Sequence, residues 1–365
     1  MSVIIKFLKR ESISKVLHFF NSAQSDILQN NNRSQEEFEW LFFNSYYKPS
    51  LYAVASESES DEIIGTYAGI FIPMVAKNSD RIITIKGEDT LISLDVMIRL
   101  GKRDILKELL QTIIEKSKDD NAMIFWGFSN AKSAYRRCGF KIVTQIKGSF
   151  YVTKPIKFYK NRVELFPQLK LIKKFQLFLF AWFNFLTIKL KSVNTGGYSL
   201  RRITFDEMDE KALVSFIPDE VYATFLNKDF LRWRIMENPS PLQYGFLEFR
   251  DNKGMLAAYF IFSSNKEKIF FIEQFLFDRQ LTDNKKVRVM KMALSYCRRQ
   301  NAIMVRAMGL THNKLNRHEM KLFTKTGFYF FNNPEESFFV FKDLSEHGIN
   351  PEDIYLSRLN TQGIR

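Results

Sequence analysis

Two stretches of this chain carry the same landmarks in the same order. "FEWLFFNSYYKPSLYAV" holds Trp40, Pro49 and Tyr52, and "LRWRIMENPSPLQYGFL" holds Trp233, Pro239 and Tyr244. Each leads into a strand, a polar turn ("SESESDE" or "RDNKG") and another strand. About a hundred residues later each copy reaches a helix ending in Gly-Phe, "AYRRCGF" with Gly139 and "LFTKTGF" with Gly327. The offset is 193 residues between the tryptophans and 188 between the glycines. Ordered landmarks at a near-constant offset mark a duplicated unit. The 365 residues are enough for two domains of ordinary size.

The two copies also read alike internally. In the first, strands are expected at 51–56, 63–72 and 90–98, then a helix at 103–118, a strand at 122–128, a helix at 130–137 and a strand pair to 153. Ile105, Leu109, Thr112, Ile113 and Lys116 recur at helical spacing in 103–118. In the second, strands are expected at 244–250, 255–263 and 268–277, a helix at 284–300, a strand at 302–308, a helix at 314–325 and strands at 328–331 and 337–341. Strands first, then strand–helix–strand–helix–strand, predicts a mixed α/β sheet in each half rather than a doubly wound one.

The net charge of +14 points to anionic partners: phosphate-bearing small molecules, lipid head groups or nucleic acid. Between Lys154 and Lys174 seven basic residues face one acid, Glu164. No RNA-binding aromatic signature accompanies them, so nucleic acid ranks below phosphate or membrane. Cys138 and Cys297 have no CxxC spacing and no histidine cluster near them, which argues against a zinc site or a disulfide framework and suits a reducing cytoplasm. The start, "MSVIIKFLKRESIS", has no apolar run of signal-peptide length. His312 and His318 lack helical ligand spacing, and there is no Walker loop, nucleophile elbow or HExxH.

The element order and the quoted landmarks resemble the GNAT superfamily of acyl-CoA-dependent N-acyltransferases, as two tandem GNAT-like domains over 1–153 and 199–345, with a linker at 154–198 and a tail at 346–365. The "W…NP…Y" opening and the "SN..S" segment are similar to proteins of bacterial surface-polysaccharide gene clusters. The resemblance implies acetyl-CoA or another acyl-CoA as co-substrate. It places pantetheine on strand 90–98 through Met97 and Ile98, and pyrophosphate on the loop and helix start at Gly101, Lys102, Arg103, Asp104 and Ile105. Asp104 departs from the family's usual glycine there; a helix cap is its alternative role. Tyr135, four residues before Gly139, matches the family's general acid, whereas Phe323 stands at that spacing from Gly327. Asp95 is the candidate base, with Glu88 and Asp89 behind it, and Asn130 and Ser133 are candidate contacts to substrate or cofactor.

The resemblance therefore implies an N-acyltransferase acting on a small-molecule amine. The expected acceptor is an amino sugar carried on a nucleotide or lipid. The second domain is expected to be degenerate, shaping the acceptor site or a homo-oligomer. Two alternatives stay open: a Fem-like transferase using aminoacyl-tRNA, and a noncatalytic GNAT-like binding protein. Between the domains, 169–191 ("LKLIKKFQLFLFAWFNFLTIKLK") is too short and too interrupted for a usual membrane span. It reads either as a helix lying on an anionic inner-membrane surface or as one buried between domains.

Overall fold

The computed structural model describes residues 2–25, 32–75, 81–93, 98, 104–165, 168, 170–190, 196–239, 242–332, 337–345 and 347–361. In chain order the first half comprises β1 (Val3–Phe7), α1 (Ile13–Ser25), α2 (Gln35–Phe42), β2 (Leu51–Glu57), β3 (Ile63–Val75), β4 (Arg81–Ile92), α3 (Ile105–Asp119), β5 (Ala122–Ser129), α4 (Lys132–Arg137), β6 (Lys141–Gln145) and β7 (Lys147–Val152). A helical pair follows, α5 (Pro155–Leu165) and α6 (Leu171–Leu190). The second half comprises β8 (Ser199–Ile203), α7 (Glu210–Ser215), β9 (Tyr222–Thr224), α8 (Lys228–Leu231), β10 (Gln243–Arg250), β11 (Leu256–Ser264), β12 (Ile269–Phe277), α9 (Asp283–Arg299), β13 (Met304–Arg306), α10 (Lys314–Thr326), β14 (Tyr329–Asn332) and β15 (Phe338–Asp343). The tail adds β16 (Ile354–Tyr355) and two 3-10 turns, Pro351–Asp353 and Arg358–Asn360.

These elements form two mixed sheets flanked by helices. The expected order of strands and helices holds in both halves, with one relocation. The strand expected at 90–98 is β4, at Arg81–Ile92. Its limit is set by its neighbour: β3 starts at Ile63, and the pairing of Gly65 with Ile92 is the last in the ladder. The Ser93 N–H still donates to the Ile64 carbonyl, next to the first residue of β3. Asp95, Met97, Gly101, Lys102 and Arg103 lie outside the described residues.

The sheets do not divide along the chain. Among the described residues, the first sheet runs β1-β2-β3-β4-β5-β15-β6, with β9 and β16 attached off this path. The second runs β14-β7-β13-β12-β11-β10-β8. Thus β15, from the second half, is inserted between β5 and β6 of the first. In return β7 is inserted between β13 and β14. Each half completes its sheet with a strand from the other, which ties their stability together.

The tryptophans that reveal the repeat meet at the junction. Trp40 and Trp233 stack with ring centroids 5.4 Å apart. Trp40 Nε1 donates to the Trp233 carbonyl at 2.8 Å, and Trp233 Nε1 donates to the Trp40 carbonyl at 3.3 Å. The reciprocal pair is the mark of an approximate two-fold relation between the halves. Both indoles are buried, so each N–H needs such a partner.

Candidate functional site

The site begins where β4 and β5 separate. These parallel strands pair from Ile83 with Ala122 up to Gly87 with Gly127. β4 continues to Ile92 along β3, while the end of β5 stays with β15, pairing Phe128 with Phe339 and Ser129 with Phe338. Among the described residues, the side of β4 facing β5 therefore has no strand partner from Glu88 to Ile92. Side chains over this stretch are half-buried, in contrast to the buried run Thr84–Gly87 before it. An open strand edge can take an extended, amide-bearing ligand by main-chain hydrogen bonds.

Local irregularities shape the fork. The register of β3 and β4 shifts between Thr66 and Ala68, where Asp89 and Thr90 of β4 stand opposite the single residue Tyr67, a bulge in β4. Asp89 adopts a left-handed backbone with φ of 48°. Its carboxylate ion-pairs with Arg33 and accepts from Tyr52 at 3.3 Å, and its carbonyl accepts from Thr66 Oγ1 at 3.1 Å. Asp89 is thus tied to the kink through its Oδ2 and its carbonyl.

At the apex of the fork, the hydroxyls of Tyr67 and Tyr135 share a hydrogen bond of 2.8 Å. Gly87 makes room for this pair: a Cβ there would lie 2.2 Å from the Tyr67 hydroxyl. Burial pushes the Tyr135 phenol up from its ordinary value, opposed by hydrogen bonds with Tyr67, Thr90 and Ser129. Tyr135 therefore stays protonated near neutrality and can donate a proton. Tyr67 is also pushed up, by burial and then by Tyr135, so the pair keeps its protons.

On the other face of β4, Lys86 ion-pairs with Glu88. Burial pulls the Lys86 ammonium down, and Glu88 opposes this. Arg234, from the second half, is near enough to both to affect their electrostatics. Its Nε donates to the Leu359 carbonyl at 3.0 Å, and burial pulls its guanidinium down to about 10. The void between Lys86, Trp126 and Arg234 is about 10 Å³, room for about one water. The open approach to Glu88 is along the β4 edge, where its side chain is 12% exposed.

The remaining expected residues fall as follows. Asp104 caps α3: its Oδ1 accepts from the Lys107 N–H at 3.1 Å, and Oδ2 accepts from Arg137 Nε at 2.7 Å. One donor at this helix start is therefore already satisfied by a carboxylate. The Ile105 side chain is in the core beneath β3, so only its backbone can meet a ligand. Ile98 is 81% exposed. Asn130 is exposed and precedes the α4 cap, which is Ala131. Ser133 Oγ accepts from Arg137 Nη1 at 2.8 Å. The sequence singled out Tyr135 but not its partner Tyr67; the two glycines facing each other across β4 and β5 were the available signal.

The second half has the same fork with different contents. β12 and β13 pair only from Ile269–Met304 to Phe271–Arg306. The tail enters the gap beyond. Tyr355 Oη donates to Glu319 at 3.3 Å, and Asn316 Nδ2 donates to the Leu356 carbonyl at 2.8 Å. The Arg358 guanidinium lies 4.3 Å from the Phe271 ring centroid and 3.5 Å from the Glu273 carboxylate. Phe323, the counterpart of Tyr135, is buried against Phe328 and Phe330.

This architecture, two mixed sheets each forked between parallel strands, defines the molecule as a tandem GNAT-like fold. Solved structures agree. A tandem GNAT protein from the clavulanic acid biosynthesis pathway matches 94% of this chain and 99% of its own at 12% identity, with a TM-score of 0.57. A GCN5-related N-acetyltransferase from Anabaena variabilis matches 94% of this chain and 73% of its own at 9% identity and a TM-score of 0.60. Saccharomyces cerevisiae N-myristoyltransferase with bound myristoyl-CoA matches 99% and 84% at 11% identity and 0.55. No family model and no curated protein matches the chain. At these identities the likeness concerns the fold.

Proposed function

We propose that the chain is an acyl-CoA-dependent N-acyltransferase whose reaction takes place in the first fork. The observation that carries this reading is the open β4 edge at 88–92 leading to a buried, protonated Tyr135. The pantetheine arm pairs with that edge. The acceptor amine attacks the thioester carbonyl carbon, and the C–S bond breaks as the C–N bond forms. Tyr135 gives its proton to the departing thiolate, and Tyr67 supports the phenolate that results. Glu88, on the open stretch of β4 and close enough to Tyr135 to raise its pKa, takes the proton lost by the amine. Holding amine and thioester together supplies much of the rate. The CoA pyrophosphate belongs near the start of α3, with Lys102 and Arg103 offsetting the Asp104 carboxylate. The acceptor we favour is an amino sugar on a nucleotide or lipid carrier in surface-polysaccharide assembly, supported by the sequence landmarks.

Calorimetry with acetyl-CoA and with longer acyl-CoAs tests the reading directly. Micromolar binding that persists in Tyr135→Phe, with acyl transfer to an amino-sugar panel lost, supports it. No binding of any acyl-CoA overturns it. Amine modification with aminoacyl-tRNA in place of acyl-CoA would establish the Fem-like alternative.

A further inference from the structure

The helical pair between the halves presents apolar side chains on both of its faces. The inner face of α6 packs on the second sheet: Ala181 is fully buried, and the Phe180 ring sits 5.4 Å from Phe150 and 5.2 Å from Tyr329. The opposite face is equally apolar and uncovered. Leu171, Ile172, Phe175, Leu179, Phe183 and Leu186 are between 48% and 83% exposed. At helical spacing they form one stripe, roughly 22 Å long at 1.5 Å per residue. A helix that is apolar all round is normally surrounded, so this outer face lacks its partner.

The surrounding charge identifies the occupant. Lys170 and Lys173 are exposed at the start of α6, and Lys157 and Lys160 are exposed on α5 beside it. Glu164 is the only acid against seven basic residues in this segment. Among the described residues no helix is long and apolar enough to cross a membrane. The geometry points to α5 and α6 as a docking surface for an anionic lipid bilayer. The stripe enters the head-group and acyl boundary while the lysines remain at the phosphate level. The inner face keeps the helix attached to the second sheet, so the whole protein lies on the bilayer.

The experiment uses the full chain and vesicles of phosphatidylcholine with and without about one-third phosphatidylglycerol, spun by flotation at moderate salt. Anionic vesicles should bind at least about tenfold more protein than neutral ones. Phe175→Glu with Phe183→Glu should abolish flotation; both side chains are exposed, and an unchanged melting temperature confirms that the fold is intact. Lys170→Glu with Lys173→Glu should weaken binding roughly fivefold or more for each lysine replaced. A second readout depends only on the wild type. Trp40, Trp126 and Trp233 are buried and Trp182 lies on the half-buried flank of α6, so brominated phosphatidylglycerol should quench Trp182 emission selectively. Absence of flotation and of quenching overturns the proposal. So does a stable dimer that becomes monomeric in the Phe175→Glu, Phe183→Glu variant, because the stripe is then the contact between two copies.

Discussion

The two forks were built by the same repeat and now contain opposite things. In the first, the strand edge beyond Gly87 is open and ends at paired tyrosine hydroxyls. In the second, the edge beyond Phe271 is met by the protein's own tail, with Arg358 over Phe271 and beside the buried Glu273. Where the first has Tyr135, the second has Phe323 in an aromatic cluster. An open cleft must keep polar groups unspent until a ligand arrives. A filled one can commit them to the fold, as the second fork does with Glu273, Asn316 and Glu319.

The contrast is tested most severely at the paired positions. Tyr135→Phe should lower turnover by about 100-fold or more with acyl-CoA affinity nearly unchanged, as expected for loss of a proton donor. Phe323→Tyr should change neither. Equal effects in both forks would erase the functional distinction between them.

The next largest effect belongs to the tail. Arg358→Ala leaves Glu273 buried without its counter-charge, and should cost about 3 kcal/mol in urea unfolding. Pairing it with Glu273→Gln should recover most of the loss. If Arg358→Ala proves neutral, the tail is not a structural filler of the second fork.

Acid should weaken the same lock. His312 Nε2 donates to the Ile354 carbonyl at 2.7 Å, while Nδ1 is buried without a partner. Protonating Nδ1 would bury an unmatched charge, and burial pulls the His312 imidazole down to about 4. The unfolded chain titrates near 6.5, so it binds more protons than the folded one below that pH. The contribution is present in full above about pH 6.5, falls as the pH drops, and is gone below about 4. Between pH 7 and pH 5 the wild type should lose about 2 kcal/mol relative to His312→Gln, read from parallel denaturation curves.

The smallest effect sharpens the first fork. Asp104→Asn keeps a capping side chain but removes a negative charge from the α3 start. Acyl-CoA affinity should rise by about two- to fivefold at low salt. An unchanged affinity across a salt series would place the pyrophosphate elsewhere.

Much of this was legible before the fold was known. The helical spacing of Ile105, Leu109 and Ile113 depends on neighbours in sequence, so the element order could be read locally. Tyr135 could be singled out because its distance from Gly139 is set within one helix and its turn. Tyr67 was harder: its place beside Tyr135 depends on the β4 bulge at Asp89–Thr90 and the left-handed Asp89, which interrupt simple alternation. The start of β4 was misplaced by nine residues, because the length of β3, which reaches Val75 and pairs there with Arg81, decides where the ladder begins.

By itself, the sequence determined that the chain is a duplicated mixed α/β protein, that its first copy keeps a tyrosine where its second has phenylalanine, and that a basic, apolar helix joins them. Those properties are carried by spacing and composition. Tertiary structure alone decided that β7 and β15 change places and that the tail fills one fork. A strand has the same alternating pattern whichever sheet accepts it, so its partner is chosen by proximity and available edge. The groups that receive the tail, Glu273 on one side and His312, Asn316 and Glu319 on the other, become neighbours only after both sheets have closed.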